Sequence, residues 1–113
     1  MTRWLSRWLW LTVLVVTPGA GYPDAGHPQA GAAQVVIIEN MQFTPRELQV
    51  SRGTRIVWIN KDLFPHTVTA AARAFDSGSI AANSSWTYIA SKSGTYDYNC
   101  TFHSSMKGVI RVK

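Results

Sequence analysis

From Val35 to the C-terminus, apolar positions come in short runs separated by turn residues. The runs are Val35–Ile38, Glu47–Val50, Arg55–Asn60, His66–Ala70, Ser85–Ile89, Thr95–Cys100 and Val109–Val112. Ser51-Arg52-Gly53, Lys61-Asp62 and Ser91-Lys92-Ser93-Gly94 punctuate them. β-branched and aromatic residues dominate, and no stretch sustains a helical period. Ala70–Ala74 has room for a helical turn at most. This pattern predicts an all-β sandwich or barrel. Alternation is clearest in Gly94–Cys100. Side chains on a strand alternate faces with period two, so Tyr96, Tyr98 and Cys100 share the face predicted to be core. Cys100 then points inward at a strand end, just ahead of a loop.

The first third of the chain has a different texture. Arg3 and Arg7 precede a short apolar run, Trp8–Val16. A charged start and a brief apolar stretch form the pattern of an export signal. The run falls short of the ~20 residues a membrane-spanning helix needs. Residues 18–34 are rich in Pro, Gly and Ala and have no period that buries a face. They read as a linker, with Ala30 and Ala32 offering one cleavage site. His27 lies in that linker and is given no role. The expected division is residues 1–33 as signal and linker and residues 34–113 as one folded domain.

Composition narrows the picture. The chain has 113 residues and a net charge of +5. Its basic residues are scattered, which argues against nucleic-acid binding and for a mild preference for acidic partners. There is one cysteine, Cys100, so no internal disulfide can brace this small exported domain. A leftover cysteine in an exported protein asks for an explanation, and a metal is one.

The candidate chemistry sits near the end of the chain. Cys100, His103 and Met106 follow one another as C-x2-H-x2-M, and His66 begins an upstream run. Singly, each has a plain reading: a buried thiol, a hydrogen-bonded or loop histidine, a core methionine. Together they are the domain's only cysteine, its only two histidines and a loop methionine. Two imidazoles and a thiolate with a weak axial thioether make a blue-copper electron-transfer set. Zinc prefers four strong N or S ligands, and methionine is a poor fourth. An immunoglobulin-like reading of Trp58 and Tyr98-x-Cys100 lacks the second cysteine that fold expects.

These residues carry a resemblance. Pro65-His66, Tyr96-Asp97-Tyr98-Asn99-Cys100-Thr101 and the loop Cys100-x2-His103-x2-Met106 resemble the small bacterial cupredoxins of the plastocyanin-like group, the amicyanins above all. The short gap before Met106 is amicyanin-like. The resemblance implies a Greek-key β-sandwich of about eight strands with one type 1 copper ion at one end. It implies His66, Cys100 and His103 as strong ligands and Met106 as the axial one. No second metal site or acid–base pair is evident in the sequence, so an enzyme is not expected, and the resemblance implies a periplasmic redox role for the protein. Its partners would be redox proteins docking near His103, where Phe64, Pro65, Phe102 and Met41 offer apolar surface. The protein is expected to be a monomer without lasting membrane association after cleavage. Copper delivery or storage on the same fold is the alternative, but no exposed Met or His cluster favours it. Two positions depart from the pattern. Thr67 stands where amicyanins have asparagine, so a different tie between the ligand loops is expected. Phe102 stands where they have proline, and its N–H is expected to donate to the Cys100 thiolate.

Overall fold

The structure is a computed structural model that describes Gly19 and residues 32–113. The expected signal and most of the linker lie outside the described residues. Eight strands follow in order: β1 (Ala33–Glu39), β2 (Gln42–Thr44), β3 (Glu47–Val50), β4 (Thr54–Asn60), β5 (Thr69–Ala70), β6 (Ser85–Ala90), β7 (Gly94–Asn99) and β8 (Lys107–Val112). A single 3-10 turn, Ala71–Arg73, is the helical turn allowed for by the sequence. The strands form two four-stranded sheets, ordered β2-β1-β4-β6 and β3-β8-β7-β5. β1 runs parallel to β4 and β3 parallel to β8, while the other neighbours are antiparallel. The chain crosses between the sheets repeatedly, giving the all-β sandwich that the pattern predicts.

Period-two alternation builds the core. Along β4, Thr54, Ile56, Trp58 and Asn60 are buried, while Arg55 is exposed and Val57 and Ile59 are partly covered. Val36 and Ile38 of β1 and Ile110 and Val112 of β8 join Ile56 and Trp58 in the core. Each fully buried side chain of this size contributes roughly 1.5–3 kcal/mol. Trp58 and Tyr98 meet edge to face at 5.7 Å, and the indole N–H donates to the phenol oxygen at 3.3 Å. Phe43 closes on Tyr98 from 4.7 Å.

Two elements differ from the sequence expectation. The run His66–Ala70 is a strand only at Thr69–Ala70, and His66 makes one isolated bridge to Ile80. The reason lies in the backbone partners. Pro65 has no N–H, and Val68 N–H donates to the Ser77 hydroxyl at 2.8 Å instead of joining a ladder. The second difference is β2, which was not expected. It pairs with β1 through a two-residue turn whose central residues, Asn40 and Met41, have φ of 54° and 60°. Such turns favour Asn-Gly, so methionine in the second place hides the hairpin from a sequence reading.

Candidate metal centre

The site is built outward from the end of β4. Asn60 lies on the inward face, fully buried. Its Nδ2 donates to the carbonyls of Phe64 at 2.7 Å and Ile80 at 3.0 Å, and its Oδ1 accepts Asp62 N–H at 3.0 Å. One side chain thus fixes both ends of the loop that delivers His66. Asp62 holds the loop's other side. Its carboxylate accepts Asn40 N–H at 2.7 Å and Met41 N–H at 3.0 Å, supporting the two left-handed residues of the β1–β2 turn. It also lies 2.8 Å from His66 Nε2. Burial, the largest single influence, raises the Asp62 pKa. Met41 N–H, the His66 ring and Asn40 N–H outweigh it and leave the carboxyl below its ordinary value.

The ionised carboxylate can only accept, so it holds the imidazole proton on Nε2. In the neutral ring this makes Nδ1 the free lone pair, and Nδ1 lies 3.7 Å from Cys100 Sγ. His66 and Cys100 are both fully buried. A ring whose far nitrogen is tied to a carboxylate is the usual arrangement of a metal-ligating histidine.

Cys100 directly follows the last residue of β7 and is buried, on the inward side that alternation predicted. Its sulfur accepts Thr67 N–H at 3.3 Å. No bond from Phe102 N–H to the sulfur is formed. Phe102 lies inside a tight turn closed by His103 N–H on Cys100 C=O at 3.3 Å, and a second turn follows with Met106 N–H on His103 C=O at 2.9 Å. The donor is therefore the residue after the upstream histidine. Thr67 also joins the two ligand loops, since its Oγ1 accepts Thr101 N–H at 2.8 Å and lies 3.0 Å from Thr101 Oγ1. These two hydroxyls supply the tie that the departure from asparagine left open.

His103 and Met106 come from the same pair of turns. The rings of His66 and His103 are 5.5 Å apart, centre to centre, and edge to face. His103 is half-buried and His66 is not exposed at all, so His103 is the imidazole that reaches solvent. Met106 is buried, and Cys100 N–H donates to its carbonyl at 3.1 Å. Among the described residues, no three His, Cys, Asp or Glu side chains close on a common point. What the fold gathers is the His66–Cys100 pair, with His103 and Met106 on the adjoining turns. Two nitrogen and two sulfur donors, one sulfur already met by an N–H, have the chemistry that fits copper. Leu63, Phe64 and Phe102 are exposed at 86%, 61% and 53%, and Met41 at 37%. Phe64, Phe102 and Met41 of the expected apolar surface are thus exposed, and so is Leu63.

The decisive comparison is at family level: the family described as Cupredoxin-like domain matches residues 7–112. The chain belongs to this family. Amicyanin from Paracoccus denitrificans is 31% identical over 86 residues, covering 72% of this chain and 66% of the relative. Amicyanin from Paracoccus versutus is 29% identical, and 65% of its length is covered. This cupredoxin thus spans about two thirds of these curated relatives. Among solved structures, a reduced amicyanin variant with phenylalanine in place of a proline has a TM-score of 0.66 at 32% identity, covering 72% of this chain and 82% of that one. A copper-containing nitrite reductase from Thermus scotoductus has a TM-score of 0.66 at 25% identity, over 70% of this chain but only 22% of its own. The cupredoxin domain thus recurs as a small part of an enzyme.

Asn60, Asp62 and Thr101 were missed as functional residues by the sequence reading, which singled out Thr67 only as a departure where the ligand loops meet. Only Asn60 left a signal, as a polar side chain on the inward register of β4. The others act mainly through partners more than twenty residues away, apart from the contacts of Asp62 with Asn60 and His66.

Proposed function

We propose that this cupredoxin is a type 1 blue-copper electron carrier. His66 through Nδ1, Cys100 through Sγ and His103 would hold the metal as strong ligands, with Met106 as the axial thioether. The observation that carries the reading is the buried facing pair, His66 Nδ1 and Cys100 Sγ at 3.7 Å, with Thr67 N–H on the sulfur. Bound copper would supply the one-electron Cu(II)/Cu(I) couple. The protein's own part is to keep the donors still. Asp62 orients one imidazole, Asn60 pins its loop, and the Thr67–Thr101 contact locks the two ligand segments together. A rigid donor set costs little to reorganise when the electron arrives or leaves.

Electron transfer of this kind needs no substrate pocket. A surface hollow of about 460 Å³ beside Arg46, Asp97 and Lys107 contains none of the four donors. The exit in this reading is His103, the partly exposed imidazole, which Phe102 immediately precedes in the chain. Exposed apolar side chains such as Phe102 and Phe64 suit brief encounters with small interfaces, and Lys61 and Lys107 would favour acidic redox partners. The charged and apolar N-terminal pattern supports export to the periplasm. In this reading the protein is a monomeric carrier, not an enzyme.

Cyclic voltammetry of the copper-loaded protein, followed by challenge with a copper chelator, tests the proposal. A reversible one-electron wave and slow copper loss are expected. Rapid surrender of copper to the chelator would point to delivery instead, and the absence of a reversible wave would overturn the carrier reading.

A further inference from the structure

Thr67 Oγ1 is buried and has three polar neighbours. Thr101 N–H donates to it at 2.8 Å, the Thr69 hydroxyl donates to it at 3.1 Å, and Thr101 Oγ1 lies 3.0 Å away. A hydroxyl has two acceptor lone pairs and one proton. Thr101 N–H fills one lone pair, and the Thr69 O–H fills the other when it turns to Thr67 and not to Asp76, which leaves the Thr67 proton for Thr101 Oγ1. The result is a two-way clasp. Thr101 gives an N–H to Thr67 and receives an O–H back, and the two threonines are the residues that follow His66 and Cys100.

The third hydroxyl decides the sense of the clasp. Without the Thr69 donor, one lone pair of Thr67 opens and the Thr101 hydroxyl is free to turn and donate into it. The Thr67 proton then has no fixed direction. Thr69 is itself well placed. It pairs with Asn99 of β7, and its Oγ1 also lies 3.1 Å from Asp76 Oδ1, which accepts Gly78 N–H at 3.0 Å. Its single proton is therefore shared between Thr67 and the Asp76 carboxylate.

We propose that Thr69 is a positioning residue of the metal centre: its hydroxyl fixes the Thr67–Thr101 clasp and thereby holds Thr67 N–H on the Cys100 sulfur at 3.3 Å. Thr69 acts only through Thr67 and Thr101. The inference deepens the copper reading and rests on it for its electronic readout. An N–H aimed at a thiolate draws electron density from the sulfur and favours the reduced metal. A slack clasp lengthens that bond and favours the oxidised form.

The test compares Thr69→Val, which keeps the shape, with Thr69→Ser, which keeps the hydroxyl. Amide hydrogen exchange of metal-free protein by NMR is the first readout. In Thr69→Val, Thr67 and Thr101 N–H are expected to exchange about fivefold to tenfold faster, the worth of one hydrogen bond. The second is the reduction potential of the copper-loaded protein. It should fall in Thr69→Val by up to about a tenfold shift toward the oxidised form, or ~59 mV for one electron. Thr69→Ser should restore both. Asp76→Asn, a weaker competitor for the Thr69 proton, should leave Thr101 exchange no faster than in the parent. Unchanged exchange and potential in Thr69→Val would overturn the proposal. So would a Thr69→Ser protein as perturbed as Thr69→Val, because shape and not the hydroxyl would then be what counts. A protein that takes up no copper would defeat the copper reading, while the exchange comparison would still decide the clasp.

Discussion

Asp62 concentrates more of the site than any proposed ligand does, because one carboxylate serves the β1–β2 turn and the His66 ring together. Asp62→Ala would leave Met41 in a left-handed conformation without its acceptor, and the imidazole without its tie. Loss of such an outer partner typically costs 10–100-fold in metal affinity, so a drop of about that size is expected in a copper competition titration. The carboxyl's depressed pKa has a second consequence. A group whose folded pKa lies below its unfolded value stabilises the fold above the ordinary carboxylate range. That contribution is lost as pH falls through the range toward the folded value. Asp76 is shifted the same way, first by Gly78 N–H, against some burial, with help from the Thr69 hydroxyl and Arg73. Denaturant melts of metal-free protein should therefore show stability falling below about pH 4, and less steeply in Asp62→Asn. An identical acid slope in that variant would show that the Asp62 contacts do not contribute.

At the scale of elements, the β7–β8 pair carries the proposed metal loop and has little slack. Tyr98 and Gly108 are register partners, and a Cβ on Gly108 would lie 2.3 Å from Tyr98 Cζ. Gly108→Ala must push the ring out of the Trp58–Phe43 packing or spread the two strands beside Met106. Overpacking of this kind costs about 1–3 kcal/mol, measurable as a lower urea midpoint, and a neutral result would mean the ring yields freely. These elements were also the most legible in the sequence. Tyr98 and Cys100 announce their inward face by alternation, and seven runs of β-branched and aromatic residues mark seven of the eight strands. The exceptions share a cause. β5 is short because Val68 bonds a serine hydroxyl, and β2 hangs on a turn without glycine. Neither choice is visible in local pattern. The same holds within the site. The four donors stand out as residue types, whereas Asp62, Thr67 and Thr69 are ordinary polar residues until the fold chooses their partners. The sequence reading also assigned the thiolate's donor to Phe102, because spacing alone does not tell which of two nearby N–H groups a turn will aim at the sulfur.

For the molecule as a whole, no disulfide braces the sandwich, since Cys100 is a free, buried thiol. Stability comes from one core in which aromatic residues are prominent. Burial pushes the Tyr98 phenol up to about 12, against some relief from the Trp58 indole. A raised folded pKa means that stability is intact below the unfolded value of 10.0 and declines as pH rises through about 12. The full loss amounts to about 3 kcal/mol at 1.36 kcal/mol per unit. Melts at pH 9 and pH 11 should differ, and Tyr98→Phe should lessen the difference. A ligand that binds only the folded chain adds stability by mass action, about 2.7 kcal/mol at a hundredfold excess over Kd. Copper is thus expected to raise the melting temperature and Cys100→Ala to abolish most of the rise. The most direct test of the central claim is the visible absorption spectrum of the purified protein after addition of Cu(II), recorded beside Cys100→Ala. An intense blue thiolate-to-copper band in the parent and none in the variant is the predicted result. A parent that stays colourless, or a band that survives in Cys100→Ala, would contradict it.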